Sequence, residues 1–148
     1  MKVNEVMATE VATCTASTKV QEVAKMMLEH DCGAIPVLET ADSSKPIGII
    51  TDRDIAVRLV AQGRDPLGST VRDAMTPQTV SVRPESDVED AARAMQKNRL
   101  RRVLVVADDG SCVGMVSLAD LADALPERAS AGVLRQVSRP NPQSATAA

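Results

Sequence analysis

An internal repeat is the feature that most restricts the fold of this chain. Met7 aligns with Met75, 68 residues later (75 − 7), when VNEVMATEVATCTASTKVQEVAKMM is set beside VRDAMTPQTVSVRPESDVEDAARAM. Further along, Gly48 aligns with Gly114 at an offset of 66 (114 − 48), because one loop is shorter by two residues in the second copy. The 148 residues are therefore expected to fold as two copies of one unit.

Each copy carries the same series of local signals. Apolar residues such as Val20, Val23 and Met27 recur at helical spacing and predict a first helix. Capping-box spacing at Thr18–Gln21 and Ser86–Glu89 places the start of this helix in both copies. Short runs rich in β-branched residues precede it (VATCT; TVSV) and follow it (AIPVL and IGIIT; RVLVV and CVGMVS), and a second helix comes last (DIAVRLVAQG; ADLADALP).

The predicted order in each copy is strand, helix, strand, strand, helix, which is an α/β (α+β) class. Because a half of about 60 residues has a small core, the two repeats are expected to pack together with pseudo-twofold symmetry. The predicted boundaries are residues 1–61 for the first repeat, 62–70 for a linker, 71–126 for the second repeat and 127–148 for a C-terminal extension. A short helix is expected at 129–137, and the Pro-containing tail after it is expected to be disordered.

Composition argues against several functions. The chain has no Phe, Tyr or Trp and a net charge of −3, so it lacks both stacking surfaces and the excess of cations that nucleic-acid binding requires. No apolar run approaches the roughly 20 residues that span a bilayer, and the first residues lack the apolar core of a signal peptide. We therefore expect a cytoplasmic protein that binds neither nucleic acid nor membrane.

Cysteine and histidine are too sparse for the usual metal or redox sites. Cys14, Cys32 and Cys112 are widely spaced and form no CxxC pair, which disfavours a disulfide framework and a zinc site. We interpret them as small buried residues, with a redox role as the alternative. His30 is the only histidine, and we place it in the last turn of a helix. No metal site and no histidine-based catalytic site are predicted.

One motif recurs where the third strand of each copy meets the second helix. A hydroxyl residue is followed three positions later by an acid: Thr51 and Asp54 in TDRD, Ser117 and Asp120 in SLAD. The spacing is that of a capping box, in which the hydroxyl and the acid accept hydrogen bonds from backbone amides. A carboxylate at this end of a strand can also accept from two vicinal ribose hydroxyls. Both roles are compatible, with the hydroxyl residue capping the helix and the acid facing a ligand.

With these residues in view, the chain resembles a tandem pair of cystathionine-β-synthase (CBS) domains, a Bateman module, over about residues 3 to 125. The resemblance lies in VMATEVATCTASTKVQEVAKMM, CGAIPVL, GIITDRDI, AMTPQTVSVRPESDVEDAARAM and RRVLVVADDGSCVGMVSLADL. It is most similar to small stand-alone bacterial two-CBS proteins. The resemblance implies a regulatory module that binds AMP, ADP or ATP in clefts between the repeats, requires no cofactor, and signals through dimer geometry to an effector protein in trans.

The resemblance also implies roles for particular residues. Ribose would be held by the motif residues Thr51, Asp54, Ser117 and Asp120. Phosphate would be met by Arg101 and Arg102, which align with Gly33 and Ala34 in the first copy, or by Arg53 at the first site; the base would lie against Ile35, Pro36, Val37 and Val103. Alternatively, Arg101 and Arg102 only complement the end of the preceding helix. Arg58 follows Asp54 by four residues, which is the spacing of a helical ion pair.

Two other functions are open at this point. The chain could be a ligand-free dimeric scaffold or stress-response protein whose motifs act only as helix caps. It could be an enzyme that uses Asp52 and Asp54, but Asp52 aligns with Leu118, so the acid pair occurs in one copy only and we predict no enzyme. Apolar stripes on the helices of both copies predict a homodimer.

Overall fold

The structure is a computed structural model, which describes residues 1–77 and 80–139. The α-helices are α1 (Val20–His30), α2 (Asp52–Ile55), α3 (Val88–Asn98), α4 (Leu118–Ala124) and α5 (Glu127–Val137). The strands are β1 (Cys14–Thr15), β2 (Ala34–Leu38), β3 (Pro46–Thr51), β4 (Thr76–Pro77), β5 (Ser81–Val82), β6 (Arg102–Val106) and β7 (Cys112–Ser117). The predicted order of strand, helix, strand, strand, helix is confirmed in both copies, as is the mixed α/β class.

Contacts divide the chain into two compact units whose boundaries differ from those of the sequence repeats. In the described part of the chain, the first unit comprises residues 11–77, and the second comprises residues 1–10 and 80–139. Residues 1–10 thus precede the first repeat in sequence but belong to the second unit. The segment expected as a linker, 62–70, lies inside the first unit, where Pro66–Gly68 forms a 3₁₀ turn.

The exchange of leading segments follows one hydrogen-bond pattern in both units. The Val71 amide donates to the Thr18 carbonyl at 2.8 Å in the first unit, and the Val3 amide donates to the Ser86 carbonyl at 2.9 Å in the second. The two donors, Val3 and Val71, are aligned residues, and so are the two acceptors, Thr18 and Ser86, each pair 68 residues apart (71 − 3, 86 − 18). Each unit is therefore completed by the segment that leads the other copy, which explains why repeat boundaries and unit boundaries do not coincide.

The two sheets have the same register. The first contains β1-β2-β3-β4 and the second β5-β6-β7; β1 and β5 run parallel to their neighbours, and the remaining pairs are antiparallel. Ala34 pairs with Thr51 in the first sheet, and Arg102 pairs with Ser117 in the second. This agreement places the hydroxyl residue of each motif at the end of its strand, directly before α2 or α4.

Each unit has its own apolar core. Aliphatic side chains from the first helix and the central strands form it, because aromatic residues are absent. In the second unit α5 packs against α3 and α4 and adds Val133 and Val137 to the core. In the first unit α1 buries Val20 and Val23 but leaves Leu28 82% exposed, so only part of its apolar stripe faces the core.

The capping boxes predicted at Thr18–Gln21 and Ser86–Glu89 are wrong, because the N-cap of each helix is one residue later. Helix α1 has Lys19 at its N-cap without a side-chain cap, because the Thr18 hydroxyl accepts from the Thr15 amide at 3.0 Å instead. In α3 the cap is Asp87, paired with Asp90, while the Ser86 hydroxyl accepts from the Arg83 amide. In both cases the hydroxyl residue closes the preceding turn, a local bond that competes with helix capping.

His30 lies in the last turn of a helix as predicted, whereas only one of the three cysteines is buried. All three cysteines are free; Cys14 is buried, and Cys32 and Cys112 are half-buried. His30 is the last residue of α1. A helix forms at Glu127–Val137, two residues earlier than expected, and the disorder expected for the tail concerns mainly residues 140–148, outside the described part of the chain. Within the described ranges, none of the helices has the length and apolar character to cross a membrane.

Candidate ligand-binding site

In the first unit, Thr51 and Asp54 form the capping box that their spacing predicts. The Asp54 amide donates to the Thr51 hydroxyl at 3.1 Å, and the Thr51 amide donates to Asp54 Oδ2 at 2.9 Å. Strand β3 ends at Thr51 in an extended conformation, and α2 starts at the next residue. The predicted capping role is therefore confirmed, and it commits one carboxylate oxygen of Asp54 to the backbone.

Two further side chains hold Asp54. The Thr76 hydroxyl donates to Asp54 Oδ1 at 3.2 Å, and Arg58 Nε lies 3.8 Å from the same oxygen. Arg58 also donates from Nη1 to the Met75 carbonyl at 2.9 Å. The Asp54 side chain is only 15% exposed. The i, i+4 pair between Asp54 and Arg58 is thus confirmed, and both oxygens of Asp54 have partners.

The second unit repeats the cap with a different arrangement around the acid. The Asp120 amide donates to the Ser117 hydroxyl at 3.2 Å, while the Ser117 amide and hydroxyl donate to Asp120 Oδ2 at 2.7 and 2.8 Å. Within the described residues, Asp120 Oδ1 has neither a hydrogen bond nor an ion pair. The acid is half-buried, so this oxygen is open to an additional donor.

The arginines predicted to bind phosphate do not lie at equivalent positions of the two motifs. Arg102 opens β6 opposite Ser117, so both side chains lie on the same face of the sheet, and the Arg101 carbonyl accepts from the Leu118 amide at 2.9 Å. The exposed Arg101 side chain makes no polar contact with the described residues. Arg53 is also exposed and lies on α2, beside the first motif. The backbone of Arg101 and the side chain of Arg102 therefore lie at the second motif, whereas Arg53 lies beside the first motif together with Arg58.

The residues assigned to a base are mostly interior residues. Ile35, Val37 and Val103 are 0% exposed and belong to the two apolar cores. Pro36 is also buried, and its carbonyl accepts a weak hydrogen bond from the Cys14 thiol at 3.7 Å. These side chains shape the strands that carry the site; direct contact with a base stays a prediction.

Sequence reasoning missed Thr76 as part of the site. It lies in the segment that leads the second copy, where nothing in a linear reading connects it with Asp54. The signal was a difference between the copies, because Thr76 aligns with Ala8 (76 − 68) and a polar residue in one copy alone indicates a copy-specific contact. Among the described residues, no cluster of three or more His, Cys, Asp or Glu could hold a metal ion.

The family model for the CBS domain matches this chain twice, at residues 3–61 and 71–127. The chain is also 41% identical to the CBS domain-containing protein YhcV of Bacillus subtilis (strain 168) over 141 residues, which is 94% of this chain and 96% of that protein. The fold, the duplicated capping motif and these matches identify a CBS domain pair. The chain belongs to the CBS domain family.

Solved structures of CBS proteins are similar to both units. The CBS domain pair of protein MJ0100, in complex with 5′-methylthioadenosine and S-adenosyl-L-methionine, has a TM-score of 0.74 and 26% identity, covering 84% of this chain and 94% of that one. CBSX2 in complex with AMP has a TM-score of 0.69 and 26% identity, covering 83% of this chain and 94% of that one. Both complexes contain an adenosine group.

Proposed function

We propose that this chain is a regulatory module that binds an adenosine nucleotide, of the AMP, ADP or ATP class, at a motif in which a hydroxyl residue precedes an acid by three positions. The observation that carries the proposal is the half-buried carboxylate of Asp120, which is fixed by the Ser117 cap and keeps one oxygen open within the described residues. A carboxylate held in this way is preorganised to accept ribose hydroxyl hydrogens. The adenosine ligands of MJ0100 and CBSX2 support the ligand class.

Charge around the second motif supports a phosphorylated ligand. Arg102 lies opposite Ser117 in the sheet, and Arg101 precedes it with an exposed side chain. Guanidinium groups bind phosphate oxygens with two parallel hydrogen bonds, which gives both charge and directional recognition. An adenosine whose ribose contacts Asp120 would place its 5′-phosphate toward this basic pair.

Thermal unfolding with added ligands tests the proposal. AMP, ADP, ATP and S-adenosyl-L-methionine are each added to the full chain, with GMP and inorganic phosphate as controls for base and phosphate. A ligand present at 100 times its dissociation constant adds about 2.7 kcal/mol to the free energy of unfolding, which raises the melting temperature by several degrees. If no adenosine compound raises it at millimolar concentration, the proposal is wrong.

A second candidate, a ligand-free dimeric scaffold, is favoured by one observation. In the first unit the motif is completely used as a structural element, since both oxygens of Asp54 have protein partners. If the second motif also served only as a cap, the wild-type chain would bind no nucleotide, and Asp120→Ala would only lower the melting temperature. Binding that disappears in Asp120→Ala at a temperature where the variant is folded would argue against the scaffold.

We also propose that the chain forms a homodimer and acts on an effector protein in trans. Three large apolar side chains are available to be covered by a second copy, since Leu28 on α1 is 82% exposed, Leu67 is 65% exposed and Val60 is 60% exposed. Light scattering measures the mass directly, and a monomer at micromolar concentration would contradict the dimer. Leu28→Glu is expected to weaken it, while Met1→Glu, at an exposed terminal residue, serves as the control.

The proposed role is binding in the cytoplasm, not catalysis. An assay of ATP hydrolysis by the purified chain tests this: we expect no turnover above that of an Asp54→Asn, Asp120→Asn double variant. Turnover that is lost in the double variant would identify an enzyme instead.

A further inference from the structure

The two motif carboxylates differ in what holds them. Asp54 Oδ2 accepts from the backbone of its own motif, and Oδ1 accepts from Thr76 at 3.2 Å and lies 3.8 Å from Arg58 Nε. In the second unit both donors of Ser117 bind Asp120 Oδ2, and no described residue donates to Oδ1. Both oxygens of the first carboxylate therefore have partners in the protein, whereas only one oxygen of the second has a partner among the described residues.

Two side-chain differences at aligned positions account for this. Thr76 aligns with Ala8 (76 − 68), and Arg58 aligns with Ala124 (58 + 66). Both units share a backbone crossing, by which we mean the antiparallel contact between the leading segment and the strand before the motif. Thr76 pairs with Ile49 of β3 in the first unit, and Ala8 bridges to Met115 of β7 in the second. Only the two polar side chains are absent from the second unit.

A π-helical turn carries Arg58. After α2 the chain continues as a π-helix at Ala56–Val60, in which the Ala61 amide donates to the Ala56 carbonyl at 2.8 Å, five residues back. On this turn Arg58 bonds the Met75 carbonyl and lies beside Asp54. Helix α4 keeps regular spacing to its end, where the Leu125 amide donates to the Leu121 carbonyl. Single π-helical turns are rare in proteins, and those that occur are often found at functional sites.

The two motifs also differ in the charge at one pair of aligned positions. A Cβ atom on Gly33 would lie 2.9 Å from Asp52 Oδ2, so the Asp52 carboxylate covers this glycine. The residue that aligns with Gly33 in the second copy is Arg101 (33 + 68). A phosphate near Gly33 of the first motif would therefore meet the Asp52 carboxylate, in addition to Arg53, whereas the aligned position of the second motif carries Arg101.

We propose that Thr76 and Arg58 occupy the Asp54 carboxylate, an arrangement that we call the lock. Each chain then binds one phosphorylated adenosine, at Asp120 in the second unit. This inference rests on the function proposed above and specifies its site. A ribose at Asp54 must displace the Thr76 hydroxyl and compete with the Arg58 guanidinium, and its phosphate is repelled by Asp52. A ribose that binds Asp120 Oδ1 displaces no hydrogen-bond donor of the described residues.

Isothermal titration of the full chain with AMP tests the assignment. We expect one AMP per chain. Asp120→Asn should raise the dissociation constant at least about tenfold, which corresponds to about 1.4 kcal/mol, and Asp54→Asn should change it less than about twofold. Asn keeps the size of the side chain, and circular dichroism verifies that both variants are folded. Two equivalent sites per chain, or equal losses in both variants, would overturn the inference while leaving nucleotide binding established.

Transfer of the lock to the second unit is the complementary test. Ala8→Thr combined with Ala124→Arg should place a hydroxyl and, at i, i+4 spacing from the acid, a guanidinium next to Asp120, and should raise the dissociation constant for AMP about tenfold, or 1.4 kcal/mol. Ala8→Val combined with Ala124→Met is the matched control, since it adds similar bulk without the hydroxyl or the charge. Unchanged binding in the lock variant, or an equal loss in the control, would overturn the role of Arg58 and Thr76. If neither wild type nor any variant binds AMP, ADP or ATP, the proposed function itself is wrong and this inference falls with it.

Discussion

Gly48 is the position where one added methyl group should be most damaging. A Cβ atom there would lie 2.5 Å from the Thr76 carbonyl oxygen, 2.6 Å from Met75 Cε and 3.1 Å from Pro77 Cα. Ordinary van der Waals contact begins at 3.4 Å, so the Thr76 carbonyl would have to retreat by about 0.9 Å (3.4 − 2.5). The Met75 side chain can move, but the carbonyl belongs to β4, whose pairing with β3 depends on this close approach.

The size of the effect follows from two opposing contributions. Replacing glycine by alanine within a strand stabilises by roughly 0.5–1 kcal/mol, because the unfolded chain loses conformational freedom. Forcing an additional methyl group into a packed site destabilises by about 1–3 kcal/mol. Because two of the contacts are with backbone atoms, we expect the second contribution to be near its upper limit. The net loss for Gly48→Ala should be about 2–2.5 kcal/mol, or roughly 4–10 °C in melting temperature.

Thermal unfolding followed by far-ultraviolet circular dichroism measures this loss, since a chain without Phe, Tyr or Trp gives no useful fluorescence signal. The matched control is Gly132→Ala in α5, where the nearest atom, Gln96 Nε2, is 4.0 Å from the new Cβ. Helix propensity predicts a gain of about 1 kcal/mol for the control. If the Gly48→Ala variant melts at or above the wild-type temperature, the close approach of β4 to β3 does not exclude a side chain at position 48, and the reasoning is wrong.

The further predictions concern three individual side chains. Val3→Ala should lower the free energy of unfolding in urea by about 2 kcal/mol, because Val3 is 0% exposed in the core of the second unit, while the 63% exposed Met1→Ala should not. Burial raises the pKa of the Cys14 thiol to about 12, so at pH 8 a disulfide reagent should label Cys32 well before Cys14, and equal rates would contradict the burial. Because this folded-state pKa lies above the usual 9.0, the contribution of Cys14 to stability is present below pH 9 and should be lost as the pH rises toward 12. Ser117→Ala should cost about 1 kcal/mol through loss of the cap, which thermal unfolding measures; no loss would mean that water replaces the hydroxyl.

Sequence reasoning succeeded where a pattern is local or repeated. The order of elements follows from periodicity, and the caps at Thr51 and Ser117 follow from spacing at a strand end. It failed at Thr18 and Ser86, because a hydroxyl can close the preceding turn as well as cap the following helix, and spacing does not distinguish the two. The exchange of leading segments could not be predicted either, because the sequence pattern of a segment does not reveal which unit it contacts.

The remaining miss was the contact between Thr76 and Asp54. These residues are separated by 22 positions, and two different elements must fold before they meet. Only the comparison of the two copies could have indicated it, since Thr76 has no polar counterpart at Ala8. Copy-specific polar residues are therefore as informative as the residues that the two copies share.

The close crossing at Gly48 and the lock on the first motif depend on the same arrangement. Because β4 can approach β3 so closely there, the Thr76 hydroxyl comes within 3.2 Å of Asp54, and the Met75 carbonyl comes within reach of Arg58. The second unit has the same crossing, since a Cβ on Gly114 would lie 2.6 Å from the Ala8 carbonyl oxygen, but it has no polar side chain there to form a lock. Alanine at either glycine should therefore destabilise its unit, yet only Gly48→Ala should also release a carboxylate. Comparing the two variants separates the contribution of the crossing to stability from its contribution to the site.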